Sequence, residues 1–206
     1  MSGTSCKADS LAFKIFLANT LSYEGGYTND ARDPGNWTSG TAGRGQNLGT
    51  NWGISTASYP FILAGLTSAC RATMPASVKG LSRDQAAVIY KAEFWDGVGG
   101  DTFPPSLGIL VSDCAVNSGK GGAIRLLQQT LGVEADGQLG AGTYGAVEAH
   151  ARVDLLGLCT DFQVRHLQYL MALAIWPTYG RGWLRRAIGV SLQAGRMLDA
   201  PSITAS

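Results

Sequence analysis

The sequence predicts a mainly α protein with one Gly-rich irregular stretch, and three observations carry that prediction. Apolar residues recur at three-and-four spacing in several segments, the period of a helix buried along one side. Ser, Pro and Gly punctuate those segments where helix starts and stops require them. Residues 27–54 lack the period and hold six glycines.

The first helix runs from Ser10 to Glu24, with Phe13, Phe16, Leu17 and Leu21 on one stripe. Gly25 or Gly26 is expected to supply a left-handed stop. Residues 27–54 then read as a loop or short irregular hairpin, with Asp33-Pro34-Gly35 as a turn. Ser82-Arg83-Asp84-Gln85 is a capping box opening a helix through Ala86, Val88, Ile89, Tyr90, Phe94 and Trp95. Pro104-Pro105 begins another, through Leu107, Leu110, Val111 and Cys114 to a stop at Gly119. From Ala123 a helix reaches Gly132, a turn forms on Asp136-Gly137, and Thr143 is expected to cap the next helix. The apolar stretch from Val153 to Trp176 carries Asp154, Asp161, Arg165 and His166, so it reads as a core helix and not a bilayer span. Pro177 opens a last segment ending in the basic aromatic cluster Arg181-Gly182-Trp183-Leu184-Arg185-Arg186.

Glu24 is the residue with the clearest chemistry. It stands eleven residues after Phe13 and seven after Leu17, on their apolar face and at the negative end of the helix dipole. Both surroundings favour a neutral carboxyl, and a protonated carboxyl near neutrality is a general acid. Asp30 and Asp33 lie in the loop that follows. A buried acid beside a solvated carboxylate suggests glycoside hydrolysis, in which one protonates the leaving oxygen and the other activates water or stabilises the cationic sugar. Ordinary turn chemistry accounts equally for either aspartate.

Four blocks carry a resemblance: Tyr-Glu-Gly-Gly-Tyr-Thr-Asn-Asp (23–30), Asp-Pro-Gly-Asn-Trp-Thr (33–38), Gly-Thr-Asn-Trp-Gly-Ile-Ser (49–55) and Ala-Val-Asn-Ser-Gly (115–119). Together with Trp-Pro-Thr-Tyr-Gly-Arg-Gly-Trp (176–183) they resemble glycoside hydrolase family 108, N-acetylmuramidases of phage endolysin and secretion-associated type. The resemblance spans residues 11–195. It implies a lysozyme-like fold with Glu24 as catalytic acid, Asp33 as the second carboxylate and Thr50 as the residue positioning water. Thr38 is a rival to Thr50, because a Gly-rich insertion separates Gly35 from Gly49, and Asp30 is a rival to Asp33, because the resemblance near this loop marks the second carboxylate less firmly than the first. It further implies substrate contacts from Tyr27, Asn29, Asp30, Trp52, Asn117, Ser118 and Tyr179. For Asn117 and Ser118 helix-end capping is the competing role.

The segment from Ala123 to Val147 resembles a small helical peptidoglycan-binding motif through Leu-Gln-Gln, Asp-Gly, Gly140 and Thr143. It is either a wall-binding module or the C-terminal lobe of the lysozyme-like fold. The second is preferred because no Pro/Ser-rich linker precedes it. The expected division is a catalytic region over 1–97 and a helical lobe over 98–200. The resemblance implies peptidoglycan glycan strands as substrate, with a lytic transglycosylase or a non-catalytic wall-binding protein as alternatives.

With 206 residues and 45% hydrophobic content, the chain can bury a substantial core as one domain or two closely packed lobes. A net charge of +1 leaves no electrostatic footprint for nucleic acid. Cys6, Cys70, Cys114 and Cys159 match no zinc or redox spacing and read as free thiols, while His150 and His166 lack metal-ligand partners. No metal or cofactor is expected. Trp37, Trp52, Trp95, Trp176 and Trp183 are candidate glycan-stacking residues, though most are expected in the core. The N-terminus shows no signal-peptide pattern. A monomer made in the cytoplasm is expected, without stable membrane insertion, reaching the wall through a holin or a secretion system.

Overall fold

The computed structural model describes residues 9–198; Cys6 and the N-terminal pattern lie outside them. The chain divides into two compact units, one formed by Leu17–Glu93 and the other by Asp9–Phe16 with residues 94–198. Helix α1 (Leu11–Tyr23) contributes to both. Its start is capped by Ser10, whose hydroxyl accepts from the Phe13 N–H at 3.1 Å.

In the first unit the elements are short. A hairpin of β1 (Thr50–Asn51) and β2 (Ile54–Ser55) precedes helices α2 (Tyr59–Gly65), α3 (Ser68–Ala72) and α4 (Arg83–Tyr90). The predicted capping box is present in full: the Ser82 side chain accepts from Gln85 N–H, and the Gln85 side chain from Ser82 N–H. Leu21, Ile54, Tyr59, Ile62, Leu66, Val78, Leu81, Ala86, Ile89 and Tyr90 are buried here. After Tyr90 the helix does not simply continue to Trp95 as its spacing suggests. Residues Lys91–Trp95 form a π-helical turn instead.

The second unit is built from α5 (Pro105–Leu131), α6 (Ala141–Met171) and α7 (Trp176–Gly195), each packed on the other two. Pro105 opens α5 as expected, and Gly132 ends it in the left-handed region, φ 70°. At Gly119 the backbone leaves helical geometry (φ 71°, ψ 162°) and then resumes it, so the predicted stop is a break. Gly140, and not Thr143, holds the cap position of α6. The buried Thr143 hydroxyl accepts a bond from Gln128 Nε2 at 3.2 Å instead, because Gln128 reaches across to organise the Asp136-Gly137 turn.

The Val153–Trp176 stretch also differs from the single core helix expected. Helix α6 is interrupted at Asp154, ends at Met171, and α7 begins at Trp176. Leu158, Cys159, Phe162, His166 and Leu170 face the core at helical spacing, whereas Val153, Leu156, Val164 and Met171 are exposed. Phe13 and Phe16 pack with Trp95 at ring-centroid distances of 5.7 Å each. Trp95 is the one fully buried tryptophan; the other four are half-buried. Cys114 and Cys159 are buried and Cys70 is half-buried, all three free. Among the described residues no helix is long and apolar enough to cross a membrane.

Candidate active site

The end of α1 delivers Glu24 to the hairpin. Glu24 N–H donates to Thr20 O at 3.1 Å, completing the last turn, and its side chain is half-buried. Neither Gly25 nor Gly26 adopts the left-handed conformation expected of a helix stop. The reason is tertiary: Thr28 pairs with Thr50 through two backbone bonds of 2.9 and 2.8 Å, which draws the chain straight out of the helix alongside β1.

The hairpin joins Asn51 to Ile54 through Trp52 and Gly53, both at positive φ, 53° and 74°. That is the requirement of a two-residue type I′ connection. Trp52 is the one non-glycine residue at positive φ among those described. Such a conformation costs a residue with a Cβ roughly 1–2 kcal/mol. Three side chains hold the turn against that cost. Asn51 Nδ2 reaches the carbonyls of Val78 and Leu81 at 3.0 and 3.3 Å. Trp52 Nε1 donates to Leu81 O at 3.1 Å, and the Tyr90 hydroxyl donates to Trp52 O at 2.9 Å.

Gly53 is required here for space as well as conformation. A Cβ built on it would fall 2.6 Å from Glu24 Cδ and 2.7 Å from the Tyr90 hydroxyl oxygen. The carboxyl of Glu24, the Tyr90 hydroxyl and the turn therefore meet at one point. The geometry offers a half-buried carboxyl held against a backbone turn that is itself tied down by hydrogen bonds.

The two loop aspartates are engaged in local structure. Asp30 is exposed and forms a two-point pair with Arg32, with bonds of 3.0 and 2.7 Å. Those bonds from Arg32 hold its carboxyl down to about 2. Asp33 caps the turn that follows it, Oδ1 accepting from Gly35 N–H at 2.8 Å. Thr38 accepts from Gln46 N–H at 3.1 Å within the Gly-rich loop, while Thr50 lies on β1 in the same hairpin as Gly53. The Tyr27 ring lies against Gly49 and beneath Lys79, whose Nζ is 5.4 Å from the ring centre. Asn29 O accepts from Asn47 Nδ2 at 2.9 Å.

Of the predicted set, the structure brings Glu24, Thr50 and Trp52 to this hairpin. Asn117, Ser118 and Tyr179 belong to the second unit. There Asn117 Nδ2 and the Ser118 hydroxyl donate back to the carbonyls of Asp113 and Cys114 at 3.4 and 2.8 Å. Both serve helix α5 where it breaks. Tyr179 is exposed and stacks on Trp183 at 6.0 Å, and Trp176 meets Trp183 at 6.3 Å. Sequence reasoning missed Gly53 and Tyr90. Gly53 sits within a motif block but nothing local says what occupies the space above it, and Tyr90 reads as helix core.

The family profile described as "Glycosyl hydrolase 108" matches residues 17–119, which include α1 from Leu17, the hairpin, α4 and the first part of α5. The chain belongs to glycosyl hydrolase family 108. A second profile, "Predicted Peptidoglycan domain", matches residues 122–188. The two matches adjoin at Gly119, where α5 breaks. Among solved structures, that of Brucella abortus SagA is similar, with a TM-score of 0.71 and 28% identity over 93% of this chain and 98% of that one. No curated protein matches. This family 108 member is thus a mainly α, lysozyme-like glycoside hydrolase directed at peptidoglycan.

Proposed function

We propose that this family 108 hydrolase is an N-acetylmuramidase of endolysin type, cutting the β-1,4 bond between N-acetylmuramic acid and N-acetylglucosamine. The observation that carries the reading is the Glu24 carboxyl, half-buried and seated on the Trp52–Gly53 turn inside the family-matched region. Glu24 protonates the glycosidic oxygen, and the bond to the leaving sugar breaks as the other sugar gains cationic character.

Asp33 supplies the second carboxylate, activating water or stabilising the cationic sugar. It stands nine residues after Glu24, the Glu–Asp spacing of the wider lysozyme-like superfamily, and its local bond is a single one from Gly35 N–H, whereas Asp30 is paired at two points with Arg32. Thr50 orients the water, being on the strand that leads into the turn beneath Glu24. Tyr27, Asn29 and Trp52 line the approach from the same hairpin region. In the second unit the Trp176, Tyr179 and Trp183 rings, with Arg181 and Arg185 exposed on the same helix, suit stacking on sugars and pairing with stem-peptide carboxylates. The enzyme acts as a monomer on wall reached through a holin or secretion route.

Purified protein incubated with insoluble peptidoglycan tests this reading. Clearing of turbidity, with muropeptides whose mass includes an added water and whose reducing ends are N-acetylmuramic acid, is the expected result. Anhydro products indicate a transglycosylase, and pelleting without clearing a wall-binding protein. Glu24→Gln is expected to lower the rate roughly 10²- to 10⁴-fold, the contribution of a general acid, with the melting temperature unchanged. A folded, fully lytic variant refutes the assignment.

A further inference from the structure

We propose that Tyr90 is a positioning residue for Glu24, acting through the Trp52–Gly53 turn. The proposal rests on the reading of Glu24 as the acid, but it assigns a role to a residue that no motif block contains.

Tyr90 is 1% exposed, and a buried phenol requires a partner for its hydroxyl. That partner is the carbonyl of Trp52, at 2.9 Å. Trp52 is the residue whose backbone is strained, and its peptide leads directly into Gly53. Without the bond from Tyr90, the Trp52–Gly53 peptide loses the tether that faces it from α4. The Tyr90 oxygen also lies 2.7 Å from the point above Gly53 that is 2.6 Å from Glu24 Cδ. One hydroxyl therefore anchors the floor on which the carboxyl rests and borders the carboxyl itself.

The anchor sits where its helix changes register. Tyr90 is the last residue of α4, and the π turn over Lys91–Trp95 begins immediately after it. π turns inside helices occur disproportionately at functional positions, because the extra residue shifts the facing of the side chains that follow. Here the change of register comes directly after the residue that holds the hairpin. A structural role alone would make Tyr90 a contributor to stability. A positioning role makes it a contributor to the rate.

Tyr90→Phe separates the two, since it keeps the ring and removes the oxygen. Initial rates on soluble glycan fragments, taken below the melting temperature of each variant, are expected to show kcat reduced roughly 10- to 100-fold, the effect of a displaced reacting group. KM and pelleting with insoluble peptidoglycan stay unchanged, because substrate binding does not involve the buried hydroxyl. Gly53→Ala, whose Cβ would fall 2.6 Å from Glu24 Cδ and 2.7 Å from the Tyr90 oxygen, disturbs the same meeting point from the turn side and is expected to give the same kcat-selective loss. A Tyr90→Phe enzyme with wild-type kcat, or one whose loss appears equally in KM and pelleting, overturns the proposal. Glu24→Gln run in parallel distinguishes the two levels. If it remains lytic, the acid assignment falls and this proposal with it; if it is dead while Tyr90→Phe is fully active, the positioning role alone falls.

Discussion

The two units of this hydrolase satisfy their interiors in different ways. After α1, residues Leu17–Glu93 form helices of seven, five and eight residues and strands of two. Elements so short leave most of their backbone polar groups without partners of their own. Side chains take up that work: Asn51 on the Val78 and Leu81 carbonyls, Trp52 on Leu81, Thr56 on Gly49, Tyr59 on Pro75 and Tyr90 on Trp52. The second unit has helices of 27, 31 and 20 residues that bond internally and cohere by apolar packing. Its buried polar contact of greatest consequence is an ion pair, Arg186 Nε to Asp113 Oδ1 at 2.9 Å, linking α7 to α5. The lesson is that the Glu24 site is positioned by directional bonds to main-chain atoms, whereas the helical unit is held by burial together with the buried Arg186–Asp113 pair.

That contrast can be broken most forcefully in the second unit. Arg186→Ala removes the guanidinium that pairs with the Asp113 carboxylate, itself 1% exposed. The expected loss is about 3–5 kcal/mol, read by denaturant unfolding together with hydrogen exchange over α5–α7. If exchange rises equally between Leu17 and Glu93, the two units do not differ in the way described.

A somewhat smaller effect comes from pH. Burial, and then the positive charge of Arg186, hold His166 down to about 4 from its ordinary 6.5. Neither of its ring nitrogens meets a hydrogen-bond partner among the described residues. The unfolded chain therefore takes up this proton before the folded one does. The stability is fully present above pH 6.5 and is lost as pH falls towards 4, on the order of 3 kcal/mol in all. Melting temperatures measured across that range should decline, and His166→Gln should flatten the decline.

The smallest change sharpens the comparison from the other side. Asn51→Ala removes one donor from each of the Val78 and Leu81 carbonyls, which keep the Leu81 N–H and Trp52 Nε1 respectively, at a cost of about 0.5–1.5 kcal/mol. Hydrogen exchange should accelerate in the hairpin and around residues 78–81, and lytic rate should fall with it, while α5–α7 keep their protection.

Much of the helical frame was legible in the chain. The Ser82–Gln85 box, the Pro105 start and the Gly132 stop are interactions between residues three or four apart, so a local pattern specifies them. The errors share one cause. Gly25 and Gly26 failed as a helix stop because a strand drew the chain away, and Thr143 failed as a cap because the helix already starts at Ala141, which places Thr143 inside its first turn with its hydroxyl on Gln128. The exposed Val153 and Leu156 show that an apolar run fixes neither the length nor the facing of a helix.

By itself the sequence determined that the protein is mainly helical, that Glu24 stands at the end of the first helix, and which motif blocks mark its family. Those properties rest on periodicity, caps and residue identity, all carried within a few neighbours. Only the tertiary structure decided that Gly53 lies under the Glu24 carboxyl, that Tyr90 holds the strained Trp52, and that Arg186 meets Asp113. Each joins groups distant along the chain, 38 positions apart for Trp52 and Tyr90 and 73 for Asp113 and Arg186. Such contacts exist only once the intervening backbone has folded, so no local pattern can encode them.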